Sequence, residues 1–488
     1  MTRTLAGAAC ALLVTLSGCA KFAEQPEVNP DRYAPLAVDR VWTPAPINTE
    51  SYTIATRDQV ESITPEQGQA MRAYDLPALI DVALSHNPST RRAWQSARLA
   101  AARYGIARSP YYPKVSFDSD QGYVRFPFQD AGRVSVVKQW EISPIINATY
   151  TLLDFGRRSS SAKAARERLA AANYTFNRTM QDIVFNVERS FYALGASKAA
   201  VAAAEQNLKL AKTDLDAVQQ RLDLGLATEP ALLLARQRVA SGEFDLASAN
   251  VLVSDAQANL AVAMGIAANV PLQVESLEAQ PLPNSLGAEV DQLINDAIKL
   301  RPDLASRVAT LKSREASVRR AKAEFYPTLG VTANYGENLW QYTFSGPPAI
   351  TTGTPQYEAL LTLKWDLFTG FSHLNGVREA EAEREEARAD LQSLELNAIS
   401  AVWRAYHDFK AAQKKYQFAE ALLAASRDAY QSTLETYRQG LSTIVELLTA
   451  DRDVANARYT MIQSRADLLT SYAAVTYAAG AIPIPGHP

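Results

Sequence analysis

The 488-residue sequence predicts a mainly α-helical protein with a membrane β part, built as two copies of one unit, and three observations carry that expectation. The turn Asp223-Leu224-Gly225-Leu226-Ala227-Thr228 returns as Arg438-Gln439-Gly440-Leu441-Ser442-Thr443, an offset of 215 residues (440 − 225). Apolar residues flank both turns at intervals of seven. Elsewhere, short stretches alternate apolar and polar side chains, the pattern of a strand with two unlike faces.

The heptads define the helices. Leu194, Val201, Leu208, Leu215 and Leu222 precede the first turn, and Leu232, Val239, Leu246, Val253 and Leu260 follow it. At the same offset stand Phe409, Tyr416, Leu423, Tyr430 and Tyr437, then Leu447, Val454, Met461, Leu468 and Val475. Small residues, such as Ala204, Ala211, Ala235 and Gly242 in the first copy, recur three positions after the large ones. A sustained seven-residue repeat underwinds helices into a left-handed supercoil, and large residues alternating with small ones let neighbours interlock. Each copy is therefore a long coiled-coil hairpin. A further run, Ala196, Ala203, Leu210, Ala217 and Leu224, lies on nearly the opposite side of the first helix, so that helix has two neighbours, as in a ring. No proline interrupts Gly156 to Gly225, a stretch that would reach about 100 Å as one continuous helix.

The N-terminus carries a targeting signal: Arg3, an apolar run from Leu5 to Leu16, and then Ser17-Gly18-Cys19. The run is too short for a permanent membrane helix. Its ending resembles a bacterial lipobox, which makes Cys19 the lipidated first residue after cleavage of residues 1–18. Cys10 leaves with the signal, so no intramolecular disulfide is expected. Ala20 lacks the acidic side chain that would argue for inner-membrane retention. Residues 19–70 hold Pro26, Pro30, Pro35, Pro44 and Pro46 without helical periodicity and read as an extended leader. A formal charge of −3 and the lack of any basic block exclude a nucleic-acid surface.

Repeat 1 is expected over residues 71–282 and repeat 2 over 283–482, with a short tail at 483–488. In each, a short helix ends at Asn87-Pro88 or Arg301-Pro302, and a second reaches an aromatic-proline junction, Tyr111-Tyr112-Pro113 or Phe325-Tyr326-Pro327. Alternating strands follow. Val115 and Phe117 oppose Ser116 and Asp118; Val331 and Tyr335 oppose Thr332 and Asn334. After a polar loop come second strands at Ile146–Leu153 and Tyr357–Trp365. Strands of about ten residues with aromatic ends are the signature of a transmembrane β-barrel. Trp140, Trp340, Tyr342, Phe344 and Trp365 are candidates for its interfacial belt. Four strands cannot close a barrel, and open edges are not tolerated in lipid, so copies must share one: eight strands from two chains or twelve from three.

This order of elements, with Asn87-Pro88, Tyr112-Pro113, Leu152-Leu153-Asp154-Phe155-Gly156-Arg157, Leu367-Phe368-Thr369-Gly370 and the two Gly-Leu-(Ala/Ser)-Thr turns, resembles the TolC-like outer-membrane efflux family, lipoprotein branch. The resemblance spans about residues 71 to 482. It implies a homotrimer, hence a twelve-stranded barrel in outer-membrane lipid continued by a periplasmic α-helical coiled-coil barrel. It also implies partners, a periplasmic adaptor and an inner-membrane transporter, and a passive exit duct that needs no cofactor and performs no catalysis. Rival readings are the exit duct of a protein secretion system and a non-conducting, lipid-anchored scaffold spanning the periplasm.

The resemblance also supplies sites. Gly225, Leu226, Ala227 and Thr228, with Gly440, Leu441, Ser442 and Thr443, would dock the adaptor, while both glycines end helices for conformational reasons of their own. In the family, acidic residues six and nine positions beyond the second glycine line the constricted tip. Those positions hold Glu446 and Thr449, with Val445 beside them, so an anionic ring would be a single layer of Glu446 carboxylates. The bland alternative is a capping box, Thr443 at the N-cap and Glu446 at N3. Enzyme readings lack residues: His86, His373, His407 and His487 are scattered, no ligand-spaced His or Cys pair occurs, and neither a Gly-x-Ser-x-Gly nor a phosphate-binding glycine loop is present.

Overall fold

The computed structural model describes residues 38–40, 74–130, 132–266, 272–283, 286, 289–343 and 350–481. The signal segment, Cys19, all but three residues of the leader, Phe344, His487 and the C-terminal tail lie outside them. The elements are α1 (Leu76–His86), α2 (Pro88–Arg108), β1 (Lys114–Asp130), β2 (Arg133–Leu153), α3 (Arg157–Asp223) and α4 (Glu229–Met264). The same order then recurs as α5 (Val290–Leu300), α6 (Pro302–Ala323), β3 (Thr328–Thr343), β4 (Ile350–Lys364), α7 (Ser372–Arg438) and α8 (Ile444–Ala478). Helices α3 and α7 are each 67 residues long and keep the 215-residue offset at both ends. The chain divides into two compact units, and each draws on both repeats.

One unit holds the strands. They form a single antiparallel sheet in the order β1-β2-β3-β4. Its two faces differ in chemistry. In one cross-strand row, Phe117 pairs with Ile146, Ile146 with Tyr335, and Tyr335 with Tyr357. The next row, on the other face, is Ser116, Asn147, Asn334 and Glu358. On that polar face Asn147 donates to Asp118 at 2.7 Å, Asn334 to Glu358 at 2.9 Å, and Asn338 to Gln356 at 2.7 Å. The apolar row is 50–80% exposed in the chain. None of the described residues of the unit covers it.

The strands are longer than the sequence suggested, 15 to 21 residues in place of about ten. The expected polar loop between the first two belongs to the sheet, which turns tightly at Gly132, where φ is +82°. Polar alternation and prolines hid this. Pro127, Pro144 and Pro355 sit within strands, and the ladder between β2 and β3 omits Ser143 and Pro144. Trp340 and Tyr342 share the face of Asn334 and Asn338, not the apolar one, so neither falls on the face where the belt was expected; Trp140 lies on the apolar face, 5.7 Å from the Tyr123 ring centre. Trp365, past the end of β4, donates to the Phe325 carbonyl at 3.0 Å.

Each strand-to-helix junction uses two consecutive left-handed residues, Phe155-Gly156 before α3 and Gly370-Phe371 before α7. Asp154 stabilises the first by accepting from the backbone N–H of Arg158 at 2.9 Å and from its guanidinium at 2.8 Å.

The other unit is helical. Short helix α1 buries Leu79, Ala83 and Leu84 against Phe176, Met180, Val187, Phe191 and Leu194 of α3 and Leu260 and Met264 of α4. In the second copy Ala297 of α5 meets Val402 and Phe409 of α7 and Leu468 and Val475 of α8. The segment joining the repeats is held by Arg465, which donates to the carbonyls of Leu277, Glu278 and Gln280.

A side chain at Gly336 would place its Cβ 2.5 Å from the Pro144 carbonyl oxygen, whereas Gly122 has open space. Gly336→Ala is expected to cost about 1–3 kcal/mol by overpacking the β2–β3 ladder. Gly122→Ala should be tolerated, and the thermal midpoints of the two variants, followed by the β circular-dichroism signal, check the contrast.

Candidate functional site

The two repeated turns close the hairpins α3–α4 and α7–α8 with one geometry. Leu226 N–H donates to the Arg221 carbonyl at 2.7 Å and Gly225 N–H to that of Leu222 at 2.9 Å. Leu441 and Gly440 repeat the pair on Thr436 and Tyr437 at 2.9 and 3.0 Å. These are Schellman caps, with Gly225 and Gly440 at φ +72° and +81°. An added Cβ would meet nothing at either glycine, so backbone conformation alone selects it. The next residues point outward: Leu226 is 65% and Leu441 76% exposed. Two solvated leucines on rigid turns offer apolar contact to something outside the chain.

The hairpins part company at the helix that follows. Thr228 makes no side-chain bond at the N-terminus of α4, and Ala231 occupies the third helical position. At α8 the capping box is complete. The Thr443 N–H donates to Glu446 Oε2 at 2.7 Å, and the Glu446 N–H donates to Thr443 Oγ1 at 3.3 Å. Glu446 nevertheless remains exposed. Its carboxylate therefore caps and still presents charge to solvent.

Val445, Glu446 and Thr449 come together in one groove of about 440 Å³ between α7 and α8. Its α7 wall is Ala425, Ser426 and Ala429, and Asp453, seven residues beyond Glu446, stands in it as well. Thr449 gives its hydroxyl hydrogen to the Val445 carbonyl at 2.7 Å, so what it turns to the groove is uncharged. The acidity of this surface comes from Glu446 and Asp453.

Beneath the turns the hairpins pack on each other. Val218, Ala231, Leu232 and Ala235 of the first form one buried cluster with Tyr437 and Leu447 of the second. Arg221 crosses between them, donating to the Tyr437 carbonyl at 2.6 Å with its guanidinium 4.7 Å from the Tyr437 ring centre. That carbonyl also accepts from Gly440, so the first hairpin holds the cap of the second. Sequence reasoning missed Arg221 because its counterpart in the repeat is Thr436, and a repeat draws attention to what recurs. Among the described residues no group of His, Cys, Asp and Glu could hold a metal, and His407 lies against Trp403, 4.6 Å between ring centres.

The profile of the family described as outer membrane efflux protein matches the chain twice, over residues 79–266 and 293–481. Protein CyaE of Bordetella pertussis is 29% identical over 422 residues, covering 84% of this chain and 85% of its own. The probable efflux pump outer membrane protein TtgC of Pseudomonas putida is 24% identical, covering 96% of this chain and 94% of its own. Among solved structures, the outer-membrane channel OprN is similar with a TM-score of 0.74 at 20% identity, over 83% of this chain and 90% of that one.

Because only the second hairpin is capped by side chains, Thr443→Ala should destabilise the first turn of α8 by about 1 kcal/mol and speed amide exchange of residues 444–447 about fivefold. Thr228→Ala should leave exchange at the start of α4 unchanged.

Proposed function

The chain belongs to the outer membrane efflux protein family, and from that premise we propose that it is the passive outer-membrane exit duct of a tripartite efflux system for small molecules. The observation that carries this reading is the sheet: four strands with an exposed apolar face, a hydrogen-bonded polar face, and outer edges on β1 and β4 that no described strand pairs. In lipid such edges must be closed by other copies. Three copies give twelve strands, apolar side out and polar side lining the conduit. The helical hairpins form the periplasmic part, their turns meeting a periplasmic adaptor that joins the duct to an inner-membrane transporter. Cys19 carries a lipid anchor in the outer membrane.

At the tip, Glu446 of each of three copies contributes one carboxylate, with Val445 and Thr449 beside it. Carboxylates gathered at a constriction favour cations over anions. An adaptor opens the gate only by binding the open form better than the closed one.

The testing experiment is conductance of the purified protein in a planar bilayer with native mass recorded on the same sample. Small cation-preferring currents from a trimer carrying lipid on Cys19 are expected; a monomer that never inserts would overturn the reading. Glu446→Gln keeps the capping box, which accepts glutamine at that position. It should therefore lower the cation-to-anion permeability ratio severalfold with little change in thermal stability, and unchanged selectivity would reduce Glu446 to a cap. Gly440→Glu puts a charged side chain on the positive-φ turn and should abolish transport while outer-membrane insertion persists. Undiminished cross-linking of that variant to the adaptor would refute docking at the turn.

A further inference from the structure

Between the hairpins, some way from the turns, lies a polar centre to which all four helices contribute. Arg238 of α4 donates to Asp451 of α8 at 2.6 Å. Tyr430 of α7 donates its hydroxyl to Asp214 of α3 at 3.4 Å, and Arg458 of α8 donates to Asn207 of α3 at 2.5 Å. Asp451 is 0% and Asp214 2% exposed. Each keeps one buried carboxylate oxygen, Oδ1 of Asp451 and Oδ2 of Asp214, without a hydrogen-bond partner.

Every one of these groups breaks the duplication. At the 215-residue offset, Asp214, Asn207 and Tyr430 correspond to Ala429, Leu422 and Leu215. Arg238 and Asp451 correspond to Asp453 and Arg236, the reverse charges, and Arg458 to Glu243. At Asp214, Asn207 and Tyr430 the heptad frame would have been served by the small or apolar residues of the other copy. Two nearly inaccessible carboxylates of which one, Asp451, has a close cation are costly unless a further charge balances them. Of the two other arginines that act on the pair, Arg458 is turned to Asn207 and Arg438 to Glu435 at 3.1 Å. The cheapest balancing charge is a proton, which would convert one acceptor-only carboxylate into a donor.

We propose that Asp214 and Asp451 form a shared proton-binding site between the hairpins, and that protonation tightens the second hairpin on the first. The charged and titratable groups acting on the pair are Arg238 of α4, Tyr430 and Arg438 of α7, and Arg458 of α8, which itself feels Arg427 of α7. Burial, and then the charge of Asp451, push the Asp214 carboxyl up to about 6 against the opposing hydrogen bond from Tyr430 and the charges of Arg238 and Arg438. Burial likewise raises Asp451 above the usual range, opposed chiefly by Arg238.

The sign follows from linkage. With the hairpins apart, a hydrated Asp214 returns toward its ordinary value of 3.8. The joined form therefore binds the proton more tightly. Its added stability is complete below about 4, declines as pH rises toward about 6, and is absent above that. A difference of about two pH units shifts the ratio of joined to separated hairpins up to about a hundredfold. The proton site stands on this geometry alone; only its consequence, a duct held shut in acid, rests on the function proposed above.

The test places spin labels at Leu226→Cys and Leu441→Cys in the full-length protein, diluted with unlabelled chains, and reads their distance distribution between pH 7.5 and 5.0. The parent should shift to a shorter, narrower distribution on acidification. Asp214→Asn, a neutral group of the same shape, should be short at both values. Tyr430→Phe, which removes the bond favouring ionised Asp214, should move the midpoint to higher pH and serves also if Asp214→Asn fails to assemble. A parent distribution unmoved by pH, or an Asp214→Asn protein that still responds like the parent, would overturn the proposal whatever the channel recordings show.

Discussion

Backbone amides and carbonyls along the outer edges of β1 and β4 have no partner strand among the described residues, and the apolar row Phe117, Ile146, Tyr335, Tyr357 has no cover. In water the first is a route to aggregation and the second a large exposed patch. In lipid the row is at home, but every unpaired edge group costs several kcal/mol. Pairing the edge of β4 with β1 of another copy removes both problems in one step. The same closure places Ser116, Asn147, Asn334 and Glu358 on the inside, where their hydrogen bonds can meet water. Closure by further copies, and the division of the two faces between lipid and lumen, thus follow from one requirement, that no peptide group be left bare in hydrocarbon.

Duplication supplies the scaffold, and departures from it supply the particular. Helix ends, Schellman turns and heptad cores recur at one offset because both hairpins solve the same packing problem. Elsewhere the copies differ. Glu446 stands against Ala231, the complete capping box against a bare Thr228, Arg221 against Thr436, and the buried Asp451–Arg238 pair against an Arg236 and Asp453 of opposite sense. Apart from the groups at the start of α8, the differing residues gather where α3, α4, α7 and α8 approach one another.

Legibility in the sequence followed the strength of the repeating signal. The long helices were readable nearly to the residue at their turn ends, because five consecutive heptads of large residues leave little freedom in phase and Gly225 and Gly440 mark the ends. Strand faces were readable and strand lengths were not. Pro127, Pro144 and Pro355 look like loop residues, yet the ladder passes through Pro127 and Pro355 and resumes on either side of Pro144. Trp340 looked interfacial by type, but one residue of register decides the face, and its neighbours Asn334 and Asn338 put it on the polar one. The polar centre was invisible for a different reason. Asp214, Tyr430 and Asp451 are joined only by the packing of four helices, and no periodicity along one helix can report a contact among four.

Capping and gating make compatible demands on a carboxylate at a helix start, and Glu446 meets those of capping. A capping carboxylate must sit at the third helical position with an oxygen on the N-cap N–H, and that fixes the side chain beside the turn, solvated and rigid. A gating carboxylate needs the same things: a defined position, low entropy and access to passing ions. The box therefore pre-organises the charge that the constriction would use. The bare N-terminus of α4, with Ala231 in the matching place, shows that a helix can begin in this fold without such a group. The box gives the second hairpin an acidic side chain held at a fixed, solvated position.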